Sequence, residues 1–266
     1  MKLEVLSIKA EKKGSIELPE QFNEDFRPNL VKRAAIAIKS KLIQAYGAKP
    51  TAGMRHSAEV SRRRHNYRGS YGIGISRVPR KVVSRRGTRF NWVGAVAPGT
   101  VGGRRAHAPK AEKKIIKGIN DKERKKAIRC ALTASLMKEI VSKKHQVPEL
   151  YPFIVSNEIE SIKKTSDLNK ALKTLGFEKE LLRIKEKTIR AGKGKARGRK
   201  YKTKVGPLVI VSKECDVEKV SNLPGVDIVK INELNSLILA PGFEAGRLIV
   251  ISEDSIKKIK EDKLFV

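Results

Sequence analysis

The chain has 266 residues, 59 Lys and Arg against 28 Asp and Glu, and a formal net charge of +31. A hydrophobic content of 39% over that length can bury a real core. The charge, however, excludes the mixed-sign surface of an ordinary soluble enzyme and points to a polyanion partner, nucleic acid ahead of a membrane surface.

In chain order, the roughly alternating Leu3, Val5 and Ile8 predict an opening strand. Residues 28–46 predict a helix, with Leu30, Val31, Ala34, Ala35, Ile38, Leu42 and Ala45 on one face, Pro28 in its first turn and Gly47 as its C-terminal cap. The acids before it, Glu17, Glu20, Glu24 and Asp25, read as a solvated patch.

Residues 47–111 break the pattern, with neither helical periodicity nor a series of strands. They hold 15 Lys and Arg and one acid, Glu59, a net +14. From Val60 onward there are 11 Arg, only 2 Lys and eight Gly, interleaved with Tyr67, Tyr71, Phe90 and Trp92. Arginine makes bidentate phosphate contacts and stacks on bases. Glycine admits close backbone approach, and aromatic rings offer platforms for unpaired bases. Such a segment buries too little apolar area to fold alone and should order by threading into RNA. Its expected RNA-binding residues include Arg62, Arg63, Arg64, Arg68, Arg77 and Trp92.

Beyond the insertion, residues 120–144 predict a second long helix, opened by Asn120 and Glu123 at capping-box spacing, with Ile128, Ala131, Leu132, Leu136 and Ile140 on its face. Phe153, Ile154 and Val155 read as a buried strand. Residues 168–175 and 178–186 are helical, separated by Gly176. Residues 208–211, 226–231 and 248–251 are strands, 217–223 a short helix, and Ser252 caps a final helix. These runs predict an α/β fold: a mostly parallel sheet with helices on both faces, a Rossmann-like three-layer arrangement, plus a long non-globular basic loop.

A second cationic stretch, 185–204, has 10 Lys and Arg against Glu186, a net +9. It precedes the strand at Leu208. Arg190, Lys193, Lys195, Arg197, Arg199, Lys200, Lys202 and Lys204 are its expected RNA-binding residues. The two segments carry +23, leaving only +8 for the other 181 residues. The organisation expected is therefore one α/β domain, 1–46 with 112–266, an inserted RNA-penetrating loop, 47–111, and a second basic segment, 185–206.

Catalytic and metal chemistry is weakly represented. Gly192, Gly194 and Gly198 are misspaced for a dinucleotide loop and precede a strand rather than follow one. His56, His65 and His107 lie in the insertion, and His145 reads as a solvated residue at a helix C-terminus. Cys130 is expected to be a packed thiol, while Cys215, between Glu214 and Asp216, lacks a cationic activator. Two cysteines 85 residues apart suit neither a disulfide framework nor a zinc site, so no metal and no cofactor is expected. No apolar run of about 18 residues is present to cross a bilayer, and the start of the chain lacks the apolar core of a secretory signal. A cytoplasmic setting is expected.

Residues 77–110, RVPRKVVSRRGTRFNWVGAVAPGTVGGRRAHAPK, resemble the extended loop of the large-subunit ribosomal protein four family in its archaeal and eukaryotic branch. Residues 190–212, RAGKGKARGRKYKTKVGPLVIVS, resemble that family's second basic motif, and 234–259 its closing strand and helix. The resemblance spans most of the chain in the same order. It implies an α/β body on the outer surface of the large subunit. It also implies a loop that penetrates ribosomal RNA and helps to form the constriction of the polypeptide exit tunnel. By matching segment, Arg80, Lys81, Arg85, Arg86, Gly87 and Arg89 would lie deepest, near the tunnel, and Arg104, Arg105, His107 and Lys110 on the returning arm. Implied partners are large-subunit ribosomal RNA, neighbouring ribosomal proteins and the nascent polypeptide, with no membrane and no catalytic residue. Two alternatives from other classes stay open: an RNA-modifying enzyme with a cofactor pocket at the carboxyl ends of its strands, and a free RNA chaperone or nucleoid protein.

Overall fold

The computed structural model describes residues 1–213 and 215–266, so Glu214 lies outside the described residues. In chain order come β1 (Lys2–Leu6), β2 (Lys12–Glu17), α1 (Pro28–Lys41), β3 (Arg80–Arg86), β4 (Arg89–Gly94), α2 (Asp121–Leu136), α3 (Lys138–Val141) and β5 (Ile154–Val155). They are followed by α4 (Thr165–Leu172), α5 (Glu178–Lys185), β6 (Thr188–Ile189), β7 (Tyr201–Lys202), β8 (Leu208–Val211), β9 (Asp227–Lys230), α6 (Ser236–Leu239), β10 (Ile249–Ser252) and α7 (Glu253–Glu261). Two compact units result: Met1–Leu42 with Ile116–Val266, and Ile43–Ile115.

The first unit is built on a six-stranded sheet of order β2-β1-β5-β10-β8-β9. All neighbours are parallel except the edge pair β1–β2. This is the mixed α/β, mostly parallel arrangement expected from the unbroken apolar runs. Alternate residues of each inner strand feed two separate clusters, because side chains alternate across a pleated strand. Leu3, Val5, Ile154, Leu208, Ile210, Ile249 and Ile251 join Val31 of α1, Ile128 and Leu132 of α2, and Ile256 and Ile259 of α7. Leu6, Val155, Val209, Val211 and Val250 join Leu168 and Leu172 of α4, Leu181 of α5, and Phe177.

Several boundaries differ from expectation. The edge strand β2 (KKGSIE) was not anticipated, since its largely exposed residues lack an apolar alternation. Helix α1 stops at Lys41 rather than Tyr46. Leu42 caps it and is 74% exposed, so no apolar burial rewards another turn. Helix α2 ends at Leu136, where Met137 turns extended (ψ 104°), and resumes only as the short α3. Asn120 has extended N-cap dihedrals but makes no side-chain cap, and Glu123 faces Arg33 at 3.3 Å instead of closing a capping box. The cap at Ser252 does form, its hydroxyl accepting from the Ser255 N–H.

The chain re-enters the sheet before β8 through a very close approach. A Cβ on Gly206 would lie 2.1 Å from Ile184 Cδ1, and one on Gly225, itself at φ +73°, 2.2 Å from Ile184 Cγ2. Alanine at Gly206 is accordingly expected to destabilise the first unit by about 1–3 kcal/mol through overpacking. Urea melts that leave the midpoint unchanged would refute this.

The second unit corrects the picture of a structureless insertion. β3 and β4 form an antiparallel hairpin joined by Gly87 and Thr88, with Arg86 opposite Arg89 and an irregularity between Val82 and Ser84. Gly87 supplies the positive φ (+59°) that such a two-residue turn needs. Phe90 and Trp92 alternate with Asn91 and Val93 in β4, a period-2 signal masked by the surrounding Arg and Gly.

Candidate nucleic-acid interface

On the hairpin of the second unit, Phe90 and Trp92 project on one face of β4 and stack with centroids 5.3 Å apart and 24° between planes. Tyr67 meets Phe90 edge-on at 5.4 Å. Guanidinium groups sit over this row: Arg80 is 5.5 Å from the Trp92 ring, and Arg68 is 5.5 Å from Tyr67 and 6.0 Å from Phe90. Arg85 donates to the Tyr67 hydroxyl at 2.7 Å, and Arg77 lies 4.4 Å over Tyr71. Phe90 and Trp92, expected as free stacking platforms, are therefore half-buried against each other and nearby guanidiniums, while Tyr67 remains 58% exposed.

The cations are distributed differently. Arg62, Arg63, Arg64, Arg77, Arg85, Arg86, Arg89, Arg104, Arg105, His107 and Lys110 are exposed, while Arg68, Arg80, Lys81 and Trp92 are half-buried. Among the described residues, every ion pair lies in the first unit, as in Arg129–Glu24 and Lys257–Glu253; the cations of Ile43–Ile115 face no carboxylate. Arg68 Nε is buried without a hydrogen-bond acceptor. Backbone hydrogen bonds from Ala48 to Pro109 and from Arg104 to Val96 tie the returning arm into this unit.

The second basic segment is also a hairpin. β6 pairs with β7, placing Thr188 opposite Lys202 and Ile189 opposite Tyr201. Residues Lys195–Arg197 make a 3-10 turn, and Gly198 follows at φ +77°. Arg190 is committed internally, donating to the carbonyls of Arg199 at 3.2 Å and Tyr201 at 3.4 Å. Lys204 pairs with Glu186 at 2.8 Å. The side chains of Lys193, Lys195, Arg197, Arg199, Lys200 and Lys202 are exposed.

Two guanidiniums, half-buried Arg183 and buried Arg247, fix the base of this hairpin. Arg183 donates to the Val205 carbonyl at 2.8 Å, and Arg247, 2% exposed, donates to the Gly206 carbonyl at 3.0 Å. Arg247 also pairs with Asp227, and Arg183 with Glu180 at 2.7 Å. Glu180 in turn accepts from the Gln146 N–H at 2.9 Å and lies 2.6 Å from His145 Nδ1. His145 is thus only 5% exposed, contrary to the solvated helix end expected. Burial alone would raise the Glu180 carboxyl, but the hydrogen bonds from Arg183, His145 and Gln146 outweigh it and hold the acid at about 2, against an ordinary 4.5.

Other expectations divide. Glu24 is not a solvated acid: Arg129 reaches it at 2.9 Å and Lys126 at 3.3 Å. Burial works against its charge, yet these two cations hold its carboxyl below the usual range. Cys130 is fully buried, as expected, and burial pushes its thiol up. Cys215 is pushed up to about 11, first by burial and then by the Glu160 carboxylate beside it. Glu160 lies where β8 and β10 end and accepts from the Ser212 N–H and hydroxyl, both at 2.9 Å, and from the Ser252 hydroxyl at 2.5 Å. An open depression of about 500 Å³ adjoins it. The carboxylate is saturated by these internal donors, which leaves it poorly placed to act as a base toward a substrate. Among the described residues no group of three or more His, Cys, Asp or Glu could hold a metal ion, and no helix is long and apolar enough to cross a membrane.

Comparison with known proteins bears directly on this geometry. Residues 16–262 match the family described as ribosomal protein L4/L1. The chain belongs to that family. Among its relatives, "Large ribosomal subunit protein uL4" of Nanoarchaeum equitans is 44% identical, covering 100% of both chains. The proteins of the same name from Archaeoglobus fulgidus and Methanosphaera stadtmanae are 42% and 40% identical, over 98% and 97% of this chain and 99% and 96% of their own lengths. The resemblance noted in the three sequence segments thus extends over the whole chain.

Proposed function

We propose that the chain is a structural, non-catalytic constituent of the large ribosomal subunit that binds and helps fold large-subunit ribosomal RNA. The observation that carries this reading is the exposed set of cations in Ile43–Ile115, none facing a carboxylate among the described residues, in a chain of the L4/L1 family. A protein whose partner is RNA leaves its phosphate-binding groups unneutralised, and counterion release on binding then supplies much of the affinity.

In this reading the α/β body, 1–46 with 112–266, carries two cationic projections, 47–111 and 185–206. The turn of the β3–β4 hairpin, with Arg85, Arg86, Gly87 and Arg89, reaches deepest into RNA and lines the constriction of the exit tunnel, where it meets the nascent polypeptide. Arg80 and Lys81 stand behind it, toward the base. Arg62, Arg63, Arg64, Arg104, Arg105, His107 and Lys110 contact RNA along the arms, and Lys193, Lys195, Arg197, Arg199 and Lys202 from the second hairpin. The body reads as Rossmann-like and faces outward, among neighbouring ribosomal proteins. Sucrose-gradient fractionation of a cell lysate tests the reading. Quantitative co-migration with the large subunit after a high-salt wash is expected, and recovery in the unbound soluble fraction would overturn it.

A further inference from the structure

Ile189 and Tyr201 face each other across the β6–β7 ladder. Opposite residues of an antiparallel pair project on the same side, with Cβ atoms about 5 Å apart. Both side chains are large and apolar, and both stand in solvent, Ile189 64% and Tyr201 51% exposed. The backbone beneath them is fixed: the Arg190 N–H donates to the Lys200 carbonyl at 2.8 Å, and its guanidinium binds the Arg199 and Tyr201 carbonyls. The Lys204–Glu186 pair and the contacts of Arg183 and Arg247 with the carbonyls of Val205 and Gly206 secure the neck. The pair is therefore held out on a hydrogen-bonded turn of backbone.

We propose that Ile189 and Tyr201 form a stacking platform for an unpaired base of ribosomal RNA, whose flanking phosphates are held by the cations of the same hairpin. The occupant must offer an apolar face and, beside it, dense negative charge. Lys193, Lys195, Arg197, Arg199 and Lys202 give the same hairpin one sign of exposed charge and, among the described residues, pair with no carboxylate. Lys200 Nζ lies 5.5 Å from the Tyr201 centroid, so the ring already accommodates a cation. A nucleotide combines a π face with an attached phosphate, whereas a duplex hides its faces in the stack. The platform rests on the ribosomal RNA reading above, but it adds a site for a single unpaired nucleotide that charge by itself does not specify.

The test measures binding of the full chain to an oligoadenylate and to an RNA duplex of equal phosphate number. Y201A is expected to weaken single-strand binding about tenfold, within the range of base–aromatic stacking, with duplex binding and salt slope unchanged. Y201F should stay within about twofold of the wild type, because the ring and not the hydroxyl stacks. An equal loss on both RNAs, or no loss with Y201A, overturns the platform while leaving salt-sensitive RNA binding, and hence the broader reading, intact. Ultraviolet crosslinking of isolated large subunits supplies a second readout. A nucleotide adduct on the Tyr201 peptide supports the platform, and an adduct there to an acidic protein segment sinks it.

Discussion

Glu180→Ala is expected to lower the folding free energy of the first unit by about 3–5 kcal/mol, the usual cost of removing one partner from a buried charged network. In a domain of this size that corresponds to a fall in Tm of roughly 10 °C. The cause is what remains behind: Arg183, at 2.7 Å from the Glu180 carboxylate, would keep its charge without its counterion, and His145 and the Gln146 N–H would lose their acceptor. The pH dependence has a definite sign. The carboxyl titrates at about 2 in the folded chain against an ordinary 4.5, so its stabilisation is complete above 4.5 and is lost as the pH falls through 2. Urea denaturation across that window should show a steep acid decline in the wild type and a shallower one in Glu180→Gln. Superimposable profiles would show that the network contributes nothing to stability.

Deletion of residues 78–100, replaced by a short Gly-Ser bridge, is expected to separate folding from assembly. The first unit has its own apolar clusters, so its circular dichroism and thermal midpoint should stay close to those of the full chain. Incorporation into large subunits, read by gradient sedimentation with tagged protein beside an untagged wild-type copy, should fall severely, because the deletion removes Arg80, Lys81, Arg85, Arg86 and Arg89 together. Unfolding of the remaining chain would refute the division into body and projection. Normal incorporation would refute the role proposed for the hairpin.

Much of the first unit was legible because its strands are nearly continuous apolar runs. Leu208–Val211 and Ile249–Ser252 are buried on both faces, and no reading of LVIV or IVIS as a surface element is consistent with that. Gly176 between α4 and α5, and Ser252 before α7, were legible because each acts through its own local dihedrals or hydroxyl. Strand β2 was not, since its ladder to β1 is made by backbone groups that carry no side-chain signature. The candidate interface was legible as charge but not as shape. Arg190 and Lys204 look like their neighbours in the sequence, yet one is committed to carbonyls and the other to Glu186.

The sequence by itself determined where the charge lies and that a mostly parallel α/β body would form, because composition and local periodicity act over a few residues; the family resemblance rested instead on three segments, 77–110, 190–212 and 234–259. Only the tertiary structure decided that His145 and Glu180 meet in the interior and that Arg183 and Arg247 brace the second hairpin. It also decided that the rings of Tyr67, Phe90 and Trp92 pack on one another. Those outcomes depend on groups distant along the chain, and it is burial and hydrogen bonding after folding that separate a cation held inside from one left for a phosphate.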